Sequence, residues 1–488
     1  MSGITETMGP SGAAPDGLPM TIAHASAALR DGSLTSSALT EGILARVDLL
    51  DSQLGAYVCT GPASALAAAA RADADFAAGI DRGPLQGIPL AIKDIIATAD
   101  APTTANSRVL TPEWGAGADA PVSARLRAAG AVFVGKATTS EFALGAPDPT
   151  KGFPIPRNPW DLGRTAGGSS SGTGIAVAAG LALGGLGTDT GGSVRFPAAM
   201  NGHTGLKVTF GRVPKSGVVP LGYSLDSVGP MARSAYDCAL LLQVMAGHDP
   251  TDADAATAPV DADYTATLDG SVEGMALGIP KPYFFDADGL DPEVRDGVLA
   301  AIDVLAGVGA AVTDTAVPYG DEAKNANMLT LVGEAYAYHR NNMVERWSDY
   351  GQFTRPGLAR GALYSAADYA QAQRFRTWFR REVAALLRTY DVLITPTWAT
   401  PTFPLSEMLP ERMILSPGFT PQWNLTGLPA VAVPCGFSSD GLPLSMQIIG
   451  RPFAEATVLK VADAYQRLTD WHLRVPPIVT AAVAGSPA

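Results

Sequence analysis

At 488 residues, with 47% hydrophobic and 17% charged side chains, the chain can bury a large core, and its 53 glycines and 38 prolines require many tight loops. A net charge of −13 argues against nucleic acid or an anionic membrane as the main partner. Three cysteines (Cys59, Cys238 and Cys435) are odd in number, widely spaced and without CxxC spacing, which argues against a disulfide framework or a zinc site and for a reducing cytoplasm.

Residues 1–20 lack a basic segment followed by an apolar run, so they read as a flexible tail rather than a secretory signal. Apolar periodicity predicts helices over residues 36–50 and 62–78. After the turn residues Asp81-Arg82-Gly83-Pro84 comes a short apolar strand, residues 88–92, that ends in Lys93-Asp94. A helix over 122–129 and a strand over 131–134 continue an α/β alternation. No charge occurs between Arg164 and Asp189, but the apolar part, residues 174–187, is shorter than the roughly 20 residues a membrane span needs. Further strands are predicted at 276–279, 311–317, 392–395, 430–434 and 444–449, and Ser438-Ser439-Asp440-Gly441 reads as a hairpin turn that makes the sheet mixed. With no internal repeat and no linker after residue 20, residues 21–488 read as one large α/β domain.

The chemically informative stretch is 157–197, which holds two Gly-Gly-Ser elements, Gly167-Gly168-Ser169 and Gly191-Gly192-Ser193. Glycines let a backbone turn sharply and bring its N–H groups close to a ligand. A flexible linker would be polar throughout, whereas here an apolar, helix-length segment separates two small-residue turns. A phosphate-binding loop needs a lysine after its last glycine, and none is present. Gly168-Ser169-Ser170-Ser171-Gly172 fits the Gly-x-Ser-x-Gly nucleophile elbow, which would make Ser170 the nucleophile of a Ser-His-Asp α/β-hydrolase, with its histidine drawn from His203, His248, His339 or His472. None of these lies in a distinctive loop.

A third arrangement uses a lysine as base. Gly87-Ile88-Pro89-Leu90-Ala91-Ile92-Lys93-Asp94, Arg157-Asn158-Pro159-Trp160-Asp161, Gly167-Gly168-Ser169-Ser170 and the run from Gly187 to Pro197 occur in this order, and in them the chain resembles the amidase signature family. Gly205-Leu206-Lys207 and Gly211-Arg212-Val213 follow, and Ile394-Thr395-Pro396-Thr397 and Leu428-Pro429-Ala430 extend it toward the C-terminus. It implies a large mixed, twisted β-sheet with helices on both faces, a catalytic core over about residues 80–250 and a variable substrate wall over about 320–425. One departure is Ser171-Gly172, where the family usually has Gly-Gly; it should alter loop packing more than chemistry.

The resemblance implies Lys93 as base, Ser169 as relay serine and Ser193 as nucleophile, with no metal and no cofactor. It also implies a cis peptide between Gly168 and Ser169, and an oxyanion hole from the backbone N–H groups of Thr190, Gly191, Gly192 and Ser193. The chemistry is coherent: a serine hydroxyl needs an adjacent base, and a lysine with an ordinary pKa of about 10.4 must be desolvated to act as one near neutral pH. Ser170 is expected as a supporting hydrogen-bond partner. Asp189 and Arg195 either brace the nucleophile turn or form an ordinary ion pair near the surface.

Within the family, the main alternative to a free-standing hydrolase is the A subunit of a tRNA-dependent amidotransferase, which releases ammonia from glutamine and passes it to a partner. That subunit usually carries Arg-Tyr-Asp-Gly and Glu-Val-Lys-Arg-Arg segments, and the corresponding region here reads Gly333-Glu334-Ala335-Tyr336-Ala337-Tyr338-His339-Arg340. The expected reading is therefore a stand-alone cytoplasmic hydrolase acting on a small-molecule amide, ester or carbamate (urethane), without nucleic acid or membrane partners; a homodimer is left open. Aromatic residues between Tyr336 and Phe379, including Phe353, Phe375 and Trp378, favour an apolar or aryl substrate, and residues 398–423 are a candidate lid.

Overall fold

The computed structural model describes residues 16–256, 260, 261, 263–408 and 416–485. Of the tail expected over residues 1–20, residues 1–15 lie outside the described residues. Asp16 forms an ion pair with Arg46, and Leu18 packs on the core.

Among the described residues, β1 (Tyr57–Thr60), β2 (Pro89–Lys93), β3 (Val132–Ala137), β4 (Gly184–Asp189), β5 (Thr204–Lys207) and β6 (Ser227–Ala232) build one half of a single sheet. β7 (Ala276–Pro280), β8 (Ala311–Thr315), β9 (Val392–Pro396), β10 (Ala430–Phe437) and β11 (Pro443–Gly450) build the other. The spatial order is β1-β3-β2-β4-β6-β5-β10-β11-β9-β7-β8. β2 pairs in parallel with β3 and β4, and β7 in parallel with β8 and β9, while the strands between these groups run antiparallel. The sheet is mixed as expected, and the turn after Phe437 closes the β10–β11 hairpin with Ser438 N–H donating to the Leu442 carbonyl at 2.8 Å. All eight residues of β11 are buried; since successive side chains point to opposite faces, both faces are covered. The Arg195–Asn201, Pro292–Gly307 and Glu455–Leu468 helices are among those packed on it.

β2 is buried at all five positions, as a parallel strand covered on both faces must be, and this is why it reads as an uninterrupted apolar run until Lys93. Four strands escaped sequence reading: β1, β4, β5 and β6. β4 lies in the segment expected as one helix-length unit, which divides into the Ser171–Ala178 helix and the strand. Its sequence, Gly-Gly-Leu-Gly-Thr-Asp, lacks the β-branched and aromatic residues that mark strands. A reason lies next door: a Cβ on Gly185 would stand 2.3 Å from the Ala91 carbonyl oxygen of β2. This close parallel approach, with Ala91 opposite Gly185 and Ile92 opposite Leu186, brings the C-terminal ends of β2 and β4 side by side. In open α/β sheets that edge is where ligands bind.

Candidate active site

Lys93, the last residue of β2, is fully buried, and its Nζ lies 2.7 Å from Ser169 Oγ and 2.8 Å from Thr188 Oγ1. Burial lowers its pKa from the ordinary 10.5 to about 7, against the Asp226 and Asp189 carboxylates, which push it up. A lysine in this state is a usable base near neutral pH. The Gly168–Ser169 peptide is cis, as the resemblance implied. Ser169 and Ser193 line the same pocket, so the three residues singled out in the sequence converge on one place.

Ser193 sits on the turn between β4 and the Arg195–Asn201 helix, and that turn is held from below by a buried ion pair. Arg195 donates from Nε to Asp189 Oδ2 and from Nη2 to Asp189 Oδ1, each at 3.0 Å. Asp189 also accepts from the backbone N–H groups of Gly192 (2.7 Å) and Val194 (3.2 Å) and from Asn424 Nδ2 (2.8 Å). Burial alone would raise its carboxyl; Arg195, Lys207 and Asn424 overcome that and hold it below the usual carboxylate range. Of the two readings left open for Asp189 and Arg195, the structure selects the buried brace. Gly192 is required here, because its φ is +131° and a Cβ would stand 2.3 Å from Thr420 Oγ1. The same geometry bears on the expected oxyanion donors. The Gly192 amide is already engaged by Asp189, whereas those of Thr190, Gly191 and Ser193 have no acceptor among the described residues.

Ser170 points away from the pocket: its Oγ donates to the Thr188 carbonyl (3.3 Å) and accepts from the Thr188 amide (3.2 Å). It pins the Gly168–Ser170 loop to β4, and it has no histidine partner. None of the five histidines lines the pocket. His203 Nδ1 lies 2.9 Å from the Thr204 carbonyl and His339 Nδ1 lies 3.0 Å from Tyr350 Oη. The Ser-His-Asp reading is therefore not supported by the geometry. Ser171 is buried and donates to the Thr138 carbonyl at 3.4 Å, so the departure from Gly-Gly is absorbed in packing.

The pocket has a volume of about 170 Å³. Its walls are Leu144, Leu221, Met328, Leu331, Phe196 and Trp398, with Phe196 stacked on Trp398 at 4.2 Å between ring centroids. Arg360 is the one charged side chain lining it among the described residues. Of the aromatic residues expected to wall the site, only Phe353 does so; Phe379 and Tyr350 are buried in the core, and Trp378 packs against Tyr319 and Phe375. Sequence spacing on amphipathic helices could not separate pocket-facing from core-facing aromatics. In the candidate lid, residues 409–415 lie outside the described residues. Met408 lines the pocket, while Trp423 is fully buried against Phe284. Thr188 and Asp226 were missed in the sequence; both are common residue types whose role depends on the β2–β4–β6 pairing.

The Amidase family profile matches residues 38–459. The chain is 42% identical to the A subunit of the glutamyl-tRNA(Gln) amidotransferase of Chloroflexus aurantiacus over 489 aligned residues, covering 94% of this chain and 99% of that one. Among solved structures it is similar to a protein of the vestigial complex that bears on the evolutionary origins of an s-triazine catabolic enzyme, with a TM-score of 0.84 at 31% identity, over 91% of this chain and 98% of the other. The peptide amidase of Stenotrophomonas maltophilia gives a TM-score of 0.81 at 31% identity, over 94% and 98%. No helix among the described residues is long and apolar enough to cross a membrane.

These findings correct one expectation. A partner set limited to a small-molecule substrate, with nucleic acid excluded, conflicts with 42% identity, over nearly the whole chain, to one component of a tRNA amidotransferase. The physical reason is that net charge describes one chain's long-range field, and one component of an assembly can serve nucleic-acid chemistry without itself being basic. Profile, relatives and fold agree, and the chain belongs to the amidase signature family.

Proposed function

We propose that the chain hydrolyses a carboxamide C–N bond by acyl transfer through Ser193, with Ser169 as proton relay and Lys93 as base. The observation that carries this reading is the 2.7 Å contact of the buried Lys93 with Ser169, in a pocket that Ser193 also lines. The Ser193 proton passes through Ser169 to Lys93 as Oγ attacks the carbonyl. The free amides of Thr190, Gly191 and Ser193 are the candidate oxyanion donors, each worth a few kcal/mol. The proton then returns through Ser169 to the leaving nitrogen, since an amine departs only when protonated. Water repeats the sequence on the acyl-enzyme.

The relatives support one context for this chemistry: glutamine hydrolysis that supplies ammonia to a partner chain. Arg360, the single cation of the pocket lining among the described residues, suits the α-carboxylate of glutamine. The pocket supports a second reading, an apolar or aryl amide, with carbamates (urethanes) and esters open to the same acyl transfer. Its walls are otherwise aliphatic and aromatic, and among the described residues no carboxylate lines it to receive the α-ammonium of an amino acid. The deciding experiment assays the purified chain, alone and with candidate partner chains, on L-glutamine and on matched p-nitroanilides, p-nitrophenyl esters and N-aryl carbamates. Ammonia release from glutamine that rises on adding partners supports the first reading; turnover confined to apolar substrates supports the second. Undiminished turnover in Ser193→Ala would remove both.

A further inference from the structure

Behind the catalytic lysine lies a second cavity, of about 360 Å³, that shares no lining residue with the substrate pocket. Lys93 stands between the two: its Nζ meets Ser169 on the pocket side and Thr188 Oγ1 on the other, and Thr188 lines the second cavity. β4 and β6 build the inner end, with Asp189 paired to Ser227 and Thr188 to Val228. Ser227 lines the cavity, is 3% exposed, and its Oγ has no hydrogen-bond partner among the described residues. A buried hydroxyl without a partner is destabilising, and water in a cavity of this size, which Thr188, Asp226 and Asp252 also line, would satisfy it. The outer end reaches solvent past Gly217, Tyr223 and Ala253, all exposed, and past Lys215 and Asp252.

We propose that this cavity is a water-filled port through which Lys93 exchanges its proton with solvent while the substrate pocket is occupied. The inference rests on the assignment of Lys93 as base. An apolar acyl group in the front pocket closes that side to water, so an enzyme that binds substrate with Lys93 charged must discharge it by another route or release the substrate. The step balances as a relay. An N–H bond of the Lys93 ammonium breaks as its proton passes to Thr188 Oγ1, whose own hydroxyl proton passes to a water in the port, leaving neutral Lys93, an unchanged threonine and a hydronium. Two carboxylates face Lys93: Asp226, at the inner end of the port, and Asp189, beneath the Ser193 turn. Asp226 accepts from Thr190 Oγ1 (2.5 Å) and from the amides of Leu221 (3.0 Å) and Gly222 (3.1 Å), so it is held in place rather than free to shuttle.

Ser227→Cys places a thiol inside the port, and Ala253→Trp narrows its mouth. With the front pocket occupied by substrate, a small methanethiosulfonate reagent should label the introduced thiol, the parent chain with its native cysteines serving as background. The kinetic arm uses the fastest substrate of the panel above. Enzyme is saturated with it at pH 5.5 and then jumped to pH 8.5. Unlabelled enzyme should begin turnover without delay, whereas the benzyl-labelled Ser227→Cys and the Ala253→Trp enzymes should show a lag at least tenfold longer, reversed by dithiothreitol in the labelled case only. A thiol that stays unlabelled in the folded enzyme, or a labelled enzyme with no lag, overturns the port. Undiminished anilide turnover in Lys93→Met overturns instead the role of Lys93, whatever the labelling result.

Discussion

Arg195 holds Asp189 through two hydrogen bonds of 3.0 Å, with both side chains fully buried beneath the turn that carries Ser193. The pair braces the turn on which the proposed nucleophile sits, because Asp189 passes the constraint on to the Gly192 and Val194 amides. Arg195→Ala leaves a buried carboxylate without its cation and is expected to cost on the order of 3–5 kcal/mol of stability. Arg195→Lys keeps the charge but not the planar fork, so kcat/KM should fall steeply while the fold is retained. Since Asp189 is held below the usual carboxylate range, its contribution is present at neutral pH and lost only in strong acid. Denaturant titrations at pH 7 and pH 3 with kinetics check this; unchanged stability in Arg195→Ala at pH 7 would contradict it.

Activity should fall as pH drops through about 7, because Lys93, the proposed base, can accept a proton only when neutral and burial has lowered its pKa to about that value. Below it the rate should decline roughly tenfold per pH unit. Asp226 stabilises the charged form, so Asp226→Asn should move the acid limb to lower pH. Profiles of kcat/KM for the parent and this variant decide the matter. An acid limb that vanishes when one histidine is replaced would assign it elsewhere.

Loss of the relay should discriminate between leaving groups. A phenolate departs without a proton and an anilide does not, so Ser169→Ala and Lys93→Ala should lose amidase activity more heavily than esterase activity. Some ester turnover should persist in both at high pH. Ser193→Ala should lose both. The relay acts as a unit, so combining Lys93→Ala with Ser169→Ala should be little worse than the worse single change. Equal losses on matched anilide and phenyl ester in Ser169→Ala would show that Ser169 is not the proton donor.

Pocket substitutions should separate the two substrate readings. Trp398→Ala removes the ring stacked on Phe196, and for an apolar substrate it should raise KM by roughly 10-fold or more with a smaller effect on glutamine. Arg360→Gln should do the reverse, removing the one cation that lines the pocket among the described residues and with it selectivity for a carboxylate-bearing substrate. Steady-state kinetics on glutamine and on an aryl anilide test both. If Arg360→Gln affects the two substrates alike, it serves the pocket's shape rather than its charge.

The sequence, through its resemblance to a family, singled out the residues to which the proposed chemistry is assigned. Lys93 closes an apolar run and Ser169 and Ser193 sit in Gly-Gly-Ser turns, and such short motifs carry a resemblance because they are local and survive without coordinates. The mixed sheet and its C-terminal hairpin were legible for the same reason: alternation and turn chemistry act over a few residues. What the tertiary structure decided depends on contacts between distant segments. β4 is a strand because β2 comes close enough to require glycine at position 185, and no local propensity reports that. Whether Asp189 and Arg195 form a brace or a surface pair is set by burial, which two charged residues six positions apart cannot announce. The walls of the pocket come from residues as far apart as Leu144, Leu331 and Trp398, and which aromatic rings face it follows from how helices dock rather than from their own periodicity. The second cavity behind Lys93 is invisible in sequence for the same physical reason: Thr188 and Ser227 meet only because β4 and β6 run antiparallel in one register.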